Sequence, residues 1–298
     1  MTATSPPPGT AAELMTRITA ELSTRLAAVG RGRGRPGVPV LVAVAHGSRD
    51  PEAVRTVRAL LAEVRRLRPG LPVRLGHVEL NEPLLRDTLG TLRGEAVLVP
   101  LLFGRGHHVT RDIPQTLRAA ARSARTGPGP VPRPAPGRWP ATPAPSLSAR
   151  IAAPLGPHPL LAEALAARLA EAGWRHGDGV VLTAAGSRAA RSAADTEATA
   201  ALLAARLGVP VVPAYASAAA PTVAEAVRAL GARGCRRVGV ACCFTAPGLF
   251  ARRTAATARA LGVPVAAPLG AHPALARLVL HRYDERLTAL GSPTRSAA

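Results

Sequence analysis

Two apolar runs in this chain end on histidine. Residues 41–53 read LVAVAHGSRDPEA and residues 101–114 read LLFGRGHHVTRDIP, so His46 and His108 each lie just past a segment with the composition of a buried strand. A neutral imidazole, titrating near pH 6.5, can ligate a transition metal or accept a proton. One such histidine says little; two at corresponding strand ends, with glycine and an arginine or aspartate beside each, can face one crevice. Between them GHVELNEP, 76–83, offers Glu79, with His77 and Glu82 close by. A carboxylate there can assist proton removal, complete a metal's shell or stand as a solvated strand-end acid. Arg49 and Arg105 are the nearest cations, and a guanidinium either matches carboxylates in a bidentate geometry or serves as ordinary surface charge. Gly104 and Gly106 permit a tight turn and close approach of a ligand to the backbone. Gly47 and Ser48 read as turn and cap residues, Asp50 as a first-turn acid, and Asp112 as the cap of a helix begun by Pro114.

The elements that must hold these residues alternate. GVPVLVAVA reads as a buried strand and PEAVRTVRALLAEVRRL as a helix with proline in its first turn, apolar residues three and four apart and basic residues near its end. A strand in LPVRLGHVEL, a short helix in NEPLLRDTLGTL, a strand in EAVLVPLLF and a helix starting near TRDIPQTLRAAARSA follow. Such alternation predicts a mostly parallel sheet flanked by helices, with the loops at the strands' C-terminal ends free to build a site. The second half repeats the order, from VVLTAAGSRAARS at 181–193, and both halves close alike: IAAPLGPHPLLAEAL at 151–165, VAAPLGAHPALARLV at 265–279. The expected fold is α/β with two repeated domains, 38–172 and 178–285. Residues 1–37 form an extension with a short helix in AAELMTRITAELSTRLAAV, residues 125–146 a Pro- and Arg-rich insertion, and residues 286–298 a flexible tail. The repeat keeps glycine, serine and arginine but puts Ala185 where His46 stands and Leu249 where His108 stands. The expectation is that the active residues come from the first half and that the second supplies apolar and cationic wall through AYASAAAP and CCFTAPGLF.

The 298 residues carry a formal charge of +20, and all 38 basic residues are arginine. That balance suits nucleic acid, an anionic membrane or an acidic small molecule without choosing among them. The low aromatic content, 2%, leaves little for base stacking, so no specific nucleic-acid partner is expected. Neither a membrane helix nor a leader is legible, and a cytoplasmic protein is the expectation. Cys235, Cys242 and Cys243 are too few for a disulfide scaffold, lack zinc or iron–sulfur spacing, and read as buried thiols.

HGSRDPEA and GHHVTRDIP together resemble the two signatures of the CbiX/SirB class of sirohydrochlorin chelatases, and the likeness covers nearly all of 38–280 as a tandem of two modules. The resemblance implies ATP-independent insertion of cobalt or ferrous iron into sirohydrochlorin, with the metal as substrate and no organic cofactor. It places the motif histidines on His46 and His108, as metal-holding and proton-accepting groups, and an acid after the second strand on Glu79. Sirohydrochlorin carries a ring of carboxylates, so Arg49, Arg105 and Gly106 become candidate substrate contacts. A monomer or weak homodimer is expected. A non-catalytic carrier of metal or tetrapyrrole is the alternative. A histidine phosphatase is a lesser one, since Ala45 stands where those enzymes have arginine.

Overall fold

The computed structural model describes residues 37–125, 147–174, 177–217 and 219–289. The first apolar run forms β1 (Val40–Ala45), in which Leu41 to Val44 are wholly buried, as a parallel sheet covered on both faces requires. Helix α1 (Pro51–Leu67) starts where the Asp50 carboxylate accepts from the Glu52 N–H at 3.0 Å and Pro51 has no N–H to lose. Asp50 is thus the cap itself rather than a first-turn acid. Ala53, Val57, Leu60, Leu61 and Val64 form the buried face of α1, and Arg65 and Arg66 meet the negative end of its dipole.

Strand β2 (Val73–His77), helix α2 (Leu85–Thr91) and strand β3 (Gly94–Pro100) follow, then a π-helical turn, His108–Asp112, that runs directly into α3 (Ile113–Arg125). Asp112 therefore lies inside continuous helix and caps nothing. Strand β4 (Leu147–Ile151) and helix α4 (Pro159–Glu171) complete the half, whose four parallel strands run in the order β2-β1-β3-β4. The second half gives β5 (Gly179–Ala184), α5 (Ala190–Leu207), β6 (Val211–Tyr215), α6 (Val223–Ala232), β7 (Val238–Cys242), α7 (Leu249–Ala260) and α8 (Pro273–Thr288). Its strand order, β6-β5-β7, matches the first three strands of the other sheet. The counterpart of β4 shrinks to one parallel bridge between Val240 and Val265. Pro264 there accepts from the Val240 N–H at 2.8 Å but has no N–H with which to extend the ladder backward.

The two sheets share one core. Leu41, Leu61, Leu165, Leu203, Leu278 and Tyr283, drawn from both halves, belong to a single buried cluster, while separate smaller clusters fill the outer face of each sheet. Helices α4 and α8 pack on each other, α8 against α1 and α4 against α5, the arrangement of a pseudo-two-fold pair. Each begins on a histidine of the repeated closing phrase. His158 Nδ1 accepts from the Leu160 N–H and His272 Nδ1 from the Ala274 N–H, both at 3.1 Å. Burial lowers the pKa of both rings, which keeps Nδ1 free to accept. Helix α8 continues to Thr288, so the expected tail from 286 is helical through its first residues. The expected N-terminal helix and the Pro- and Arg-rich insertion lie outside the described residues. Among those residues no helix is long and apolar enough to cross a membrane.

Candidate active site

The β1–α1 junction is fixed by glycine. Gly47 has φ +109°, and a Cβ there would sit 1.9 Å from the Glu79 carbonyl oxygen; Gly186, its counterpart, has φ +91° and a Cβ there would sit 1.8 Å from the Ser217 oxygen. The serine that follows is equally local: Ser48 Oγ accepts from the Asp50 N–H at 3.1 Å and Ser187 Oγ from the Ala189 N–H at 3.2 Å. Glycine and serine recur because each junction must pass against the loop after the neighbouring strand. In the first half that loop is joined to the junction by the Glu79 N–H on His46 O, 3.0 Å, and by the Ser48 N–H on Asn81 Oδ1, 2.7 Å.

The fold brings His46 and His108 together. Their ring centroids lie 4.4 Å apart with the planes at 88°, although 62 residues separate them in sequence (108 − 46). Behind His108, Asp112 Oδ2 lies 2.6 Å from Nδ1, and the other oxygen of Asp112 lies 3.5 Å from His107 Nε2. An ionised carboxylate there takes the Nδ1–H, holds the ring in one tautomer and leaves the Nε2 lone pair for a ligand or proton. Asp112 is the residue that the sequence reading assigned to capping. His46 Nδ1 lies 3.6 Å from Glu79 Oε1 and 3.2 Å from Gly47 O, and both side chains of the His46–Glu79 pair are about half exposed. His77 sits deeper, 1% exposed, with Nδ1 3.3 Å from Pro83 O; burial lowers its pKa. Leu80, the one non-glycine with positive φ among the described residues, is 52% exposed at the same site.

These groups line a cavity of about 860 Å³ built from both halves, within the range of small-molecule sites. The first half contributes His46, His108, Arg49 and Gly106; the second contributes Ser187, Ser217 and the segment from Cys243 to Arg252, which include parts of the two loops expected to face the site. Most of the wall is apolar, with Leu101, Phe103, Leu182, Leu249 and Phe250 among its side chains. Arg49 is exposed and lines the cavity, whereas Arg252 is ion-paired with Asp50 of the opposite half. Arg105, expected to face substrate carboxylates, does not line the cavity; its guanidinium is committed to Asp195 at 2.5 to 3.1 Å. Cys242 and Cys243 are buried, and burial raises both thiols, that of Cys242 to about 12. Among the described residues, no group of three or more His, Cys, Asp or Glu side chains is arranged as a metal cage.

Two α/β repeats that share a core and both line this cavity, with a paired imidazole site on one repeat, define a tandem α/β protein with a histidine-bearing cleft. The CbiX family model matches residues 40–172 and 179–286, and the chain belongs to that family. Curated relatives include the sirohydrochlorin cobaltochelatase of Methanococcus aeolicus, 32% identical over 81 residues, and that of Sulfolobus acidocaldarius, 37% identical over 89. The matched segments are 26% and 28% of this chain and span 57% and 71% of those relatives. Among solved structures, SirB from Bacillus subtilis with Fe3+ superposes with a TM-score of 0.66 at 21% identity, covering 85% of this chain and 98% of that one. The sirohydrochlorin chelatase SirB from Bacillus subtilis subspecies spizizenii in complex with cobalt gives 0.61 at 20%, covering 83% and 94%. At these identities the superpositions establish a shared fold.

Proposed function

We propose that this protein inserts cobalt or ferrous iron into sirohydrochlorin in the cytoplasm, without ATP, using His46 and His108 as the metal-handling pair. The observation that carries the reading is the pair itself: two imidazoles in contact, one backed by Asp112, at a cavity large enough for a planar ligand and walled by both halves. Neutral imidazoles hold a divalent ion loosely enough to release it, and the open set at this site suits an ion in transit. As the metal–nitrogen bonds of the macrocycle form, the metal–imidazole bonds break and two pyrrole protons leave. His46 and His108, once free of metal, accept those protons, and Glu79 beside His46 relays one toward solvent. Arg49 meets a substrate carboxylate at the rim, and Gly106 lets the macrocycle approach the backbone. A site completed within one chain supports a functional monomer.

Anaerobic mixing of the full chain with sirohydrochlorin and Co2+ or Fe2+, followed by absorbance, tests the reading. Multiple turnovers above the uncatalysed rate are expected with at least one of the two metals. Binding that stops at one equivalent, with no rate enhancement, makes the protein a carrier instead.

A further inference from the structure

From the contact between the two halves we infer that Asp195, a buried carboxylate of the half without histidines, is a positioning residue for His108. The loop from 101 to 106 that leads to His108 has no regular structure, so its course depends on what holds it. Asp195 lies in the second turn of α5 at 1% exposure. Its Oδ2 accepts from the Arg105 backbone N–H at 2.7 Å and from Nε at 3.0 Å, and its Oδ1 accepts from the guanidinium NH2 at 2.5 Å. One carboxylate thereby fixes both backbone and side chain of a residue three positions before His108. A buried carboxylate needs such complete pairing, and removing one partner leaves it uncompensated.

The rest of the loop is equally confined. A Cβ on Gly104 would meet Ser192 Oγ at 3.2 Å, and the Leu102 carbonyl accepts from the Leu155 N–H at 2.8 Å. His46 is held separately, through the Glu79 N–H on its carbonyl. The two imidazoles are therefore held from different elements, and Asp195 is the anchor on the His108 side that comes from the opposite half's helix α5. The internal repeat supplies an independent observation. Aligning His46 with Ala185 and Phe103 with Phe244 puts Thr56 opposite Asp195 and Ala246 opposite Arg105. The half of the site that has Leu249 for histidine also lacks both members of the latch.

The activity arm of the test rests on the chelatase reading; a structural arm does not. Full-length Asp195→Asn is compared with Asp284→Asn, which breaks another bidentate pair between the halves, Arg68 with Asp284 at 2.6 and 2.7 Å, whose members do not line the cavity. Asp195→Asn is expected to lower kcat for insertion of whichever of Co2+ and Fe2+ the wild type inserts about tenfold or more through misplacement of His108, with KM for sirohydrochlorin changed by less than about twofold. It is also expected to shift the imidazole resonances of metal-free His108 in NMR, assigned from their loss in His108→Ala. Asp284→Asn is expected to leave kcat and those resonances as they are. Arg105→Gln gives the same readouts should Asp195→Asn fold poorly. Native kcat and unshifted resonances in Asp195→Asn, or equal kcat losses in both variants, overturn the inference. A wild type that inserts no metal sinks the chelatase reading, and the NMR arm then decides the positioning role alone.

Discussion

Gly186 tests whether the repeated Gly-Ser phrase is retained for architecture. In Gly186→Ala the new methyl starts 1.8 Å from the Ser217 carbonyl oxygen, a backbone atom, so one of the two loops has to retreat by more than about 1 Å. That movement strains or breaks the Ser217 N–H on Ala185 O, 3.0 Å, and the Ser217 hydroxyl on the same oxygen, also 3.0 Å. A lost hydrogen bond costs about 1 kcal/mol each and alanine at positive φ about 1–2 kcal/mol. The expected loss is therefore roughly 3–4 kcal/mol, which for a chain of this size lowers Tm by about 6–16 °C. Differential scanning calorimetry reads it directly. Gly47→Ala has the same geometry and is expected to show a loss of similar size, despite lying beside His46. A Tm for Gly186→Ala within about 1 °C of wild type would refute the steric argument. It would also leave the repetition without a physical cause.

Removing the Asp112 carboxylate as Asp112→Asn should reduce kcat about 10- to 100-fold by releasing the His108 tautomer, with little change in Tm; an unaltered kcat contradicts the role given to the 2.6 Å contact. Arg49→Gln should raise KM for sirohydrochlorin several-fold, roughly 1 kcal/mol, leave kcat alone and weaken the salt dependence of KM; unchanged salt dependence removes Arg49 from the substrate rim. The cap histidines give stability a pH dependence. Burial lowers the folded-state pKa of His158 and His272 from 6.5, so the unfolded chain binds more protons below that value. The neutral caps' contribution is intact above pH 6.5 and is lost as the pH falls toward the depressed folded values. Replacing both by asparagine, which caps without titrating, should flatten the fall of Tm between about pH 7 and 5.5, leaving the part due to His77; an unchanged slope rules the caps out.

Much of this architecture was legible because it is periodic or repeated. Unbroken apolar runs alternating with helical spacing required parallel sheets, and the matched phrases around 151 and 265 required a duplication. The position of His46 and His108 at corresponding strand ends was enough to expect one crevice. What stayed hidden lies in partners that periodicity does not see. Arg105 and Asp195 are 90 residues apart, and nothing local distinguishes an arginine that meets a buried carboxylate from one that meets solvent. Asp112 is within reach: His108 and Asp112 are four apart, the spacing of helical neighbours, but a helix starting near Thr110, with Asp112 as the cap before Pro114, leaves His108 outside it and hides the pair. The shortened fourth strand of the second half could be read at Pro264, whose missing N–H stops the ladder. The helix through Thr288 could not, because only its packing within the shared core, with Tyr283 donating to Pro39 O at 2.6 Å, carries it that far.

The claim that His46 and His108 act as one metal-handling unit is tested most directly by the anaerobic rate of metal insertion in His46→Ala, His108→Ala and the double variant. Each single change is expected to lower kcat by about 100-fold or more, and the double variant to be scarcely slower than either, because residues acting as a unit lose function together. Either single variant inserting metal at the wild-type rate would contradict it.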